Sequence, residues 1–347
     1  ISYGRGGRCR DVISLWDLIP SLCFLNRFMA LRRISIDSSS APADARLAEL
    51  TAWIRGIEAV TGSKPVPASE DASFRRYFRL RSGANSFIVM DAPPAQEDCT
   101  PFLRIAGCLE AMQLNAPRVI EADLEQGFLL LSDLGTRQYL AEVEDDPSRA
   151  PRLYDDALAA LAAMQRRGAA YQAQLPPYDE ALLRFELSLF HDWLCGTHLG
   201  LAFSDADERA WQGLCQTLVD NALHQPQVFV HRDYHSRNLM VAEENNPGIL
   251  DFQDAVEGPL TYDLVSLLKD CYVRWPAKDV RNWALWFYEG LDDGIRAQID
   301  ETLFFRFFEL MGVQRHLKAA GIFARLNHRD GKNGYMADIP RTLTYIV

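Results

Sequence analysis

The chain has 347 residues, of which 48% are hydrophobic, enough to form a globular protein with one large or two smaller lobes. Its formal net charge of −11 argues against a nucleic-acid-binding protein, whose contact face would be basic. The seven cysteines are scattered and form no CxxC pair. This pattern favours reduced thiols in a soluble cytoplasmic protein over a disulfide scaffold or a zinc site.

The first 28 residues differ in charge from the rest of the chain. They carry four arginines and two aspartates, so the remainder, from Met29, is more acidic than the whole. Asp17 and Pro20 interrupt their apolar part, which disfavours both a signal peptide and a membrane span. We interpret residues 1–28 as an upstream or non-native extension ahead of a start at Met29.

A small lobe is predicted first, over residues 29–134. Residues 44–60 have the hydrophobic spacing of a helix, and a second helix is predicted to open at Pro101. Short β-type runs lie at residues 73–80, 86–91 and 128–134. These elements predict a lobe of antiparallel strands with one main helix packed on it.

A larger helical lobe is predicted over residues 135–347. Helical spacing recurs at 152–167, 180–195, 206–223, 261–273, 279–290 and 301–319. Strand-like pieces interrupt it at 227–231, 239–242 and 248–250. A β-rich lobe followed by a helical lobe predicts a two-lobed α+β fold with a cleft where the lobes meet.

The segment "VFVHRDYHSRNLMV", residues 228–241, places many polar groups between two apolar runs. Asn238 follows Asp233 by five residues, and Asp251 follows Asn238 by thirteen. Two short strands pairing across "EENNPG" would bring Asp251 beside Asn238. A carboxylate and an amide oxygen form a hard-oxygen site suited to Mg²⁺ with phosphates, while Asp233 stays free to accept a proton. The arrangement is typical of phosphoryl transfer.

Other interpretations of this loop are open. We interpret His231 as structural, bracing the loop. His235 and Arg237 could be functional or merely solvated loop charges. Alternatively, His231, Asp233 and His235 alternate along a strand and could bind a hydrolytic metal, but this leaves Asn238 and "LDFQD" unexplained.

The motifs resemble the aminoglycoside phosphotransferase and choline kinase superfamily, which has a protein-kinase-like fold. Within it, the chain is most similar to bacterial cell-wall recycling kinases that phosphorylate N-acetylmuramate and N-acetylglucosamine at the anomeric position. The resemblance rests on "DASFRRYFRL", "FIVMDAPP", "FLLLSDLG", "VHRDYHSRNLM", "GILDFQDAVEGPLTYDLVSLLKDCYVRW" and "MGVQRHLKAAGIFARL". It implies a sugar kinase that uses ATP and Mg²⁺, with no nucleic-acid, membrane or protein partner, and further chain after Val347.

The resemblance also implies residue roles. Asp233 resembles the catalytic base, and Asn238 and Asp251 resemble the magnesium ligands. The main chain that would meet the adenine belongs to Ser132, Asp133 and Leu134. Asp263 is expected to be structural, capping a helix or bracing the catalytic loop.

The small lobe departs from the kinase pattern. Its first strand region has no glycine, and the position of the phosphate-binding lysine is Met90, which leaves Glu110 without its expected partner. Another cation must therefore neutralise the phosphates. We predict Ser73 with Arg75 or Arg76, because guanidinium forks fit phosphate oxygens. The arginines could otherwise coat an exposed strand.

The acceptor is predicted less firmly than the reaction. An acidic body would attract a cationic substrate such as an aminoglycoside or choline, whereas the resemblance implies an N-acetylated sugar. The carboxylate of N-acetylmuramate would need a basic partner, for which the candidates are His235, Arg237, Arg315 and His316. Arg315 could equally lie on the solvated side of its helix. The alternatives are a kinase for another small alcohol and a nucleotide-binding pseudokinase.

Overall fold

The computed structural model describes residues 44–70 and 74–346, with the side chains of residues 69 and 70 excepted. The expectations for residues 1–28, for Ser73 and for chain beyond Val347 lie outside the described residues.

The small lobe is built on one antiparallel sheet with the spatial order β1-β2-β3-β5-β4. Its strands are β1 (Val66–Glu70), β2 (Arg76–Ser82), β3 (Asn85–Asp91), β4 (Val119–Asp123) and β5 (Phe128–Ser132). Its helices are α1 (Ala45–Ile54) and α2 (Thr100–Ala111). The predicted strands and helix are confirmed, and β1 and β4 are additions that the sequence pattern did not indicate.

Alternation along the strands decides which side chain meets which helix. Val89 and Leu130 pack with Leu50 of α1, whereas Met90 and Leu129 face the other way and join Ile105 of α2. The sheet is therefore covered on one face by α1 and on the other by α2 and the large lobe. Met90, at the expected lysine position, is fully buried in that second layer.

The large lobe is mainly helical. Its helices are α3 (Tyr139–Asp145), α4 (Ala150–Gly168), α5 (Glu180–Leu189), α6 (Asp205–Leu223), α7 (Tyr262–Leu268), α8 (Ala277–Glu289), α9 (Asp293–Arg296), α10 (Glu301–Asp330) and α11 (Ile339–Leu343). A π-helical segment, Phe190–His198, continues α5. Its strand pairs are β6 (Gln227–Val230) with β9 (Val256–Pro259), and β7 (Leu239–Met240) with β8 (Gly248–Ile249). The two-lobed α+β prediction is confirmed.

Helix α10 is the central element of the large lobe and packs against α5, α6 and α7. It extends eleven residues beyond the predicted end at 319 and stops at Gly331, whose φ of 68° is the left-handed helix cap that glycine favours. Gly321 allows its close crossing over α5, since a Cβ there would lie 2.3 Å from the carbonyl carbon of Leu189. No helix in the described part of the chain combines the length and apolarity needed to cross a bilayer.

Candidate active site

A cleft of about 1310 Å³ lies between the two lobes. The small lobe contributes apolar walls, such as Ile88 and Leu131, together with Arg75. The large lobe contributes the polar catalytic-loop residues, including Asp233 and Asn238. The cleft expected from the lobe organisation is therefore present, and polar groups concentrate on its large-lobe side.

The hairpin of β7 and β8 brings the predicted reactive groups together. Leu239 pairs with Ile249, and the Leu250 N–H donates to the Asn238 carbonyl at 2.9 Å. The Asn238 side-chain amide then donates to the backbone carbonyl of Asp233 at 3.0 Å and to the Asp251 carboxylate at 3.3 Å. The pairing predicted from sequence thus joins Asp233, Asn238 and Asp251, of which the last follows the first by 18 residues in the chain.

The loop that carries Asp233 is held in place by the side chain of Asp263. The Asp263 carboxylate accepts hydrogen bonds from the backbone N–H groups of His231, at 2.6 Å, and Arg232, at 2.9 Å. These bonds hold Arg232 at a φ of 78°, a conformation that costs a non-glycine residue about 1–2 kcal/mol. Asp263 makes no side-chain cap at the start of α7, where the N-cap is Thr261. Of the two structural roles considered, bracing fits this geometry.

His231 is fully buried and fixes the next residue of the loop. Burial lowers the pKa of His231 to about 4, so the ring is neutral at physiological pH. Its Nδ1 accepts the backbone N–H of Asp233 at 3.2 Å. The ring therefore works as a hydrogen-bond acceptor in the loop.

A buried ionic network underlies Asp233 and was not foreseen from sequence. Lys318 of α10 lies 3.0 Å from the Glu186 carboxylate of α5 and donates to the Tyr262 hydroxyl at 2.8 Å. Arg232 pairs with the same Glu186 carboxylate at 2.5 Å. The side chains of Lys318 and Glu186 are only 10% and 2% exposed, so charge is concentrated beneath the loop.

This network governs the ionisation of Asp233. Burial acts to raise the pKa of the Asp233 carboxyl, but Lys318, His235 and Arg232 lower it more, so its pKa falls below the ordinary value. Asp233 is therefore ionised at neutral pH and can accept a proton.

Two of the predicted substrate residues lie on the catalytic loop and line the cleft. His235 is buried and packs its ring edge-on against Tyr272, with the ring centroids 5.3 Å apart. The Arg237 guanidinium lies 3.8 Å from the centre of the Tyr272 ring and 5.7 Å from that of Tyr335. Both residues are thus within reach of a ligand in the cleft.

The two substrate-binding residues predicted on α10, Arg315 and His316, differ in whether they line the cleft. Arg315, a predicted substrate contact, lines the cleft but is buried, and its guanidinium donates to the Ser266 hydroxyl, so the alternative that it lies on the solvated side of its helix is wrong. His316 does not line the cleft. Its ring nitrogens face the carbonyls of Gly312 and Lys269, and it stacks on Tyr345. His316 therefore does not belong with the residues that can reach a substrate, because its ring points into the helical packing.

On the small-lobe side, the structure separates Arg75 from Arg76. Arg75 lines the cleft, with its guanidinium 3.7 Å from the Asp251 carboxylate and 4.0 Å from that of Glu97. Arg76 points to the opposite face of β2, where it pairs with Asp91 and Asp44. Arg76 is therefore not positioned to meet phosphates in the cleft, and of the two arginines only Arg75 reaches it.

The connection between the lobes also lines the cleft. The Ser132 N–H is already bonded to the Arg118 carbonyl at 2.9 Å. The Asp133 carboxylate is occupied by Arg79, at 2.6 Å, and by the Gly135 N–H, at 2.9 Å. Any adenine contact here would therefore fall to main-chain groups, chiefly those of Asp133 and Leu134.

The alternative of a hydrolytic metal held by His231, Asp233 and His235 is not supported. Among residues 44–70 and 74–346, no group of three or more His, Cys, Asp or Glu side chains could hold a metal ion. His231 already uses Nδ1 within the loop. The five described cysteines are buried and unpaired, in accordance with the prediction of reduced thiols.

Comparisons with known proteins agree with this geometry. Residues 65–297 match the model of the phosphotransferase enzyme family. The chain is 48% identical over 320 residues to an N-acetylmuramate/N-acetylglucosamine kinase of Pseudomonas aeruginosa, covering 87% of this chain and 91% of that protein.

Solved structures share the fold at low sequence identity. The Plasmodium vivax ethanolamine kinase superposes with a TM-score of 0.62 at 10% identity, covering 85% of this chain and 86% of that one. The ADP-bound aminoglycoside phosphotransferase APH(2'')-Ib superposes with a TM-score of 0.55 at 14% identity, covering 87% and 97%. Both neighbours therefore share the two-lobed kinase-like architecture.

Proposed function

Because the chain belongs to the phosphotransferase enzyme family, we propose that it transfers the terminal phosphoryl group of ATP to the anomeric hydroxyl of N-acetylmuramate and N-acetylglucosamine. The observation that carries the reaction class is the convergence of Asp233, Asn238 and Asp251 at the wall of the interlobe cleft. The acceptor follows from the likeness to the Pseudomonas aeruginosa kinase, which extends over most of both chains.

Asp233 is the base in this proposal. It is ionised at neutral pH, and an anomeric hydroxyl is more acidic than an ordinary alcohol, so a carboxylate of low pKa suffices to accept its proton. The hydrogen bonds of Asp263 and His231 fix the loop before the substrate binds. Such positioning removes part of the entropic cost of bringing hydroxyl and base together.

Asn238 and Asp251 are the proposed holders of Mg²⁺. The side-chain amide nitrogen of Asn238 donates to the Asp251 carboxylate at 3.3 Å, so the two side chains adjoin, and the amide oxygen and the carboxylate are the hard oxygens that Mg²⁺ prefers. Two protein ligands leave the other positions to water and phosphate oxygens, as is usual for nucleotide-bound magnesium. The bound ion would neutralise negative charge on the phosphates.

Arg75 is the proposed substitute for the missing lysine on β3. Its guanidinium lies beside Asp251, and Glu97, which precedes α2, lies on its other side. A cation held between these carboxylates can reach phosphate oxygens near the metal position, and its planar fork suits them. Main-chain groups of Asp133 and Leu134 would meet the adenine.

The acceptor would occupy the large-lobe end of the cleft, near Asp233. His235, Arg237 and Arg315 line the wall there and are the proposed contacts for its polar groups. The two aromatic rings beside Arg237 offer an apolar surface of the kind on which sugar rings stack.

Incubation of the purified protein with ATP, Mg²⁺ and each sugar tests the proposal, with phosphorus NMR to identify the α-1-phosphate. We expect that product from at least one of the two sugars. Kanamycin and choline serve as competing acceptors. Turnover of either of them with no sugar phosphate would overturn the proposed acceptor, and nucleotide binding without any turnover would favour the pseudokinase alternative.

A further inference from the structure

The C-terminal part of α10 contains an arginine, Arg325, that has no ion-pair partner among the described residues. Arg325 lines the cleft, and within the described residues its buried Nε has no hydrogen-bond partner and its guanidinium no ion pair. Burial, together with the neighbouring charge of Arg329, lowers the pKa of Arg325 below its usual value. An arginine stays protonated nonetheless, so the fold holds a partly desolvated charge there at a cost.

The other cations that α10 contributes to the cleft wall are already engaged. Arg329 forms a double contact with the Asp330 carboxylate, at 2.7 and 3.0 Å. Lys318 is neutralised by Glu186, and Arg315 donates to Ser266. Among the cleft cations of α10, Arg325 is therefore the one that an incoming anion would stabilise most, because a guanidinium pairs with a carboxylate through two parallel hydrogen bonds.

Arg325 lies on the same helix face as the residues around the catalytic base. Lys318, Ile322 and Arg325 are separated by one and two turns and all line the cleft. The rise of an α-helix puts Arg325 about 10 Å along the axis from Lys318. The ring centroid of Phe323, two residues before Arg325, lies 6.3 Å from that of Tyr272, and Arg237 packs against the Tyr272 ring. Because Arg325 and Tyr272 line the same cleft, we infer that this part of α10 flanks its acceptor end.

We propose that Arg325 binds the carboxylate by which N-acetylmuramate differs from N-acetylglucosamine, and so determines how strongly the enzyme prefers the acidic sugar. The inference rests on the proposed function, since it concerns the acceptor of that reaction. It replaces the earlier candidates Arg315 and His316 for this role, because Arg315 is already bonded and His316 faces away from the cleft.

Steady-state kinetics of Arg325→Gln with both sugars test the inference. The KM for N-acetylmuramate should rise about ten- to a hundredfold, the usual range for a lost charge-assisted bond, with little change for N-acetylglucosamine. Arg325→Lys, which keeps the charge without the fork, should recover part of the loss. Arg306→Gln, which removes a charge from an exposed position of the same helix, is the matched control and should leave both KM values unchanged.

The methyl ester of N-acetylmuramate completes a double-mutant cycle. For the parent enzyme, esterification should weaken binding about as much as Arg325→Gln does, whereas for the variant it should have little further effect. The melting temperature of Arg325→Gln should match or exceed that of the parent, because a partly buried charge without an ion pair among the described residues is removed.

The results separate the two proposals. A parent protein that phosphorylates neither sugar contradicts the proposed function itself. A parent that phosphorylates at least one sugar, combined with an Arg325→Gln variant whose preference between the sugars is unchanged or whose KM rises equally for both, contradicts only the role of Arg325.

Discussion

The two sides of the cleft are held in different ways. On the large-lobe side, the loop around Asp233 is fixed by short hydrogen bonds that its N–H groups donate to Asp263 and by buried ion pairs beneath it. On the small-lobe side, Arg75 lies between two carboxylates at 3.7 and 4.0 Å, distances longer than hydrogen bonds. The base side is thus held by hydrogen bonds and ion pairs within the large lobe, whereas the phosphate side depends on a cation placed between two carboxylates.

The difference reflects what each task requires. Proton transfer needs one carboxylate within hydrogen-bond reach of one hydroxyl, so its supports must be specific. Neutralising phosphate needs only positive charge at short range, which a cation from any nearby strand can supply. The lysine expected at the Met90 position of β3 is therefore dispensable if Arg75, which immediately precedes β2, supplies the cation.

The largest expected effect is the loss of the base. Asp233→Asn keeps the shape of the side chain but removes the proton acceptor, and kcat should fall by about 10²–10⁴-fold. Nucleotide affinity, measured by calorimetry, and the melting temperature should stay near those of the parent. A variant retaining kcat within tenfold of the parent would contradict the role of Asp233 and remove the functional contrast between the two sides.

The second prediction concerns the small-lobe side and uses adjacent arginines as a matched pair. Arg75→Gln should lower kcat/KM for ATP by about ten- to a hundredfold, because a charge-assisted contact with phosphate is lost. Arg76→Gln should leave kcat/KM for ATP unchanged but lower the melting temperature, because buried Asp91 loses a partner. Equal effects of both substitutions on ATP kinetics would contradict the proposal that Arg75, and not Arg76, contacts the phosphates.

Local features of the fold and site could be predicted from sequence. The strands β2, β3 and β5 coincide with short β-type runs, and the spacing of Asp233 and Asn238 places both on one loop. Asp251 reaches them because the β7–β8 hairpin is also local. Edge strand β4 was missed because most of its residues are exposed and it lacks a hydrophobic face.

Features that depend on distant contacts could not be predicted. The pairing of Lys318 with Glu186 joins residues from two helices, and nothing in either segment indicates the other. The predicted helix stopped at residue 319, although Phe323, Ala324 and Leu326 beyond it are buried and continue the packed face of α10. No feature of the sequence singles out Arg325; in the fold Arg329, which also lines the cleft, is paired with Asp330, whereas the buried Nε of Arg325 has no hydrogen-bond partner among the described residues.

The third prediction concerns the large-lobe side of the cleft, where Lys318 lies near Asp233. Lys318→Met removes a charge that lowers the pKa of Asp233, so that pKa should rise. Because the base acts in its ionised form, activity on the acid side should begin to fall at a higher pH than in the parent. Lys269→Met is the control, because it breaks another partly buried ion pair, with Glu309, and should destabilise the fold without moving the pH profile. Identical acid limbs for Lys318→Met and the parent would contradict the electrostatic role of Lys318.

The last prediction is measured as protein stability and not as activity, and it concerns His231 of the same loop. Its pKa of about 4 in the folded state lies below the value of about 6.5 expected in the unfolded chain, so the unfolded chain binds more protons between these pH values. The stability that neutral His231 contributes is present above pH 6.5 and is lost as the pH falls towards 4, by about 3 kcal/mol in all. In urea unfolding at pH 7 and pH 4.5, His231→Gln should therefore lose less stability on acidification than the parent. An unchanged pH dependence would mean that the buried imidazole does not hold the catalytic side in its neutral form, and the contrast between the two sides would then depend on Asp263 and the ion pairs alone.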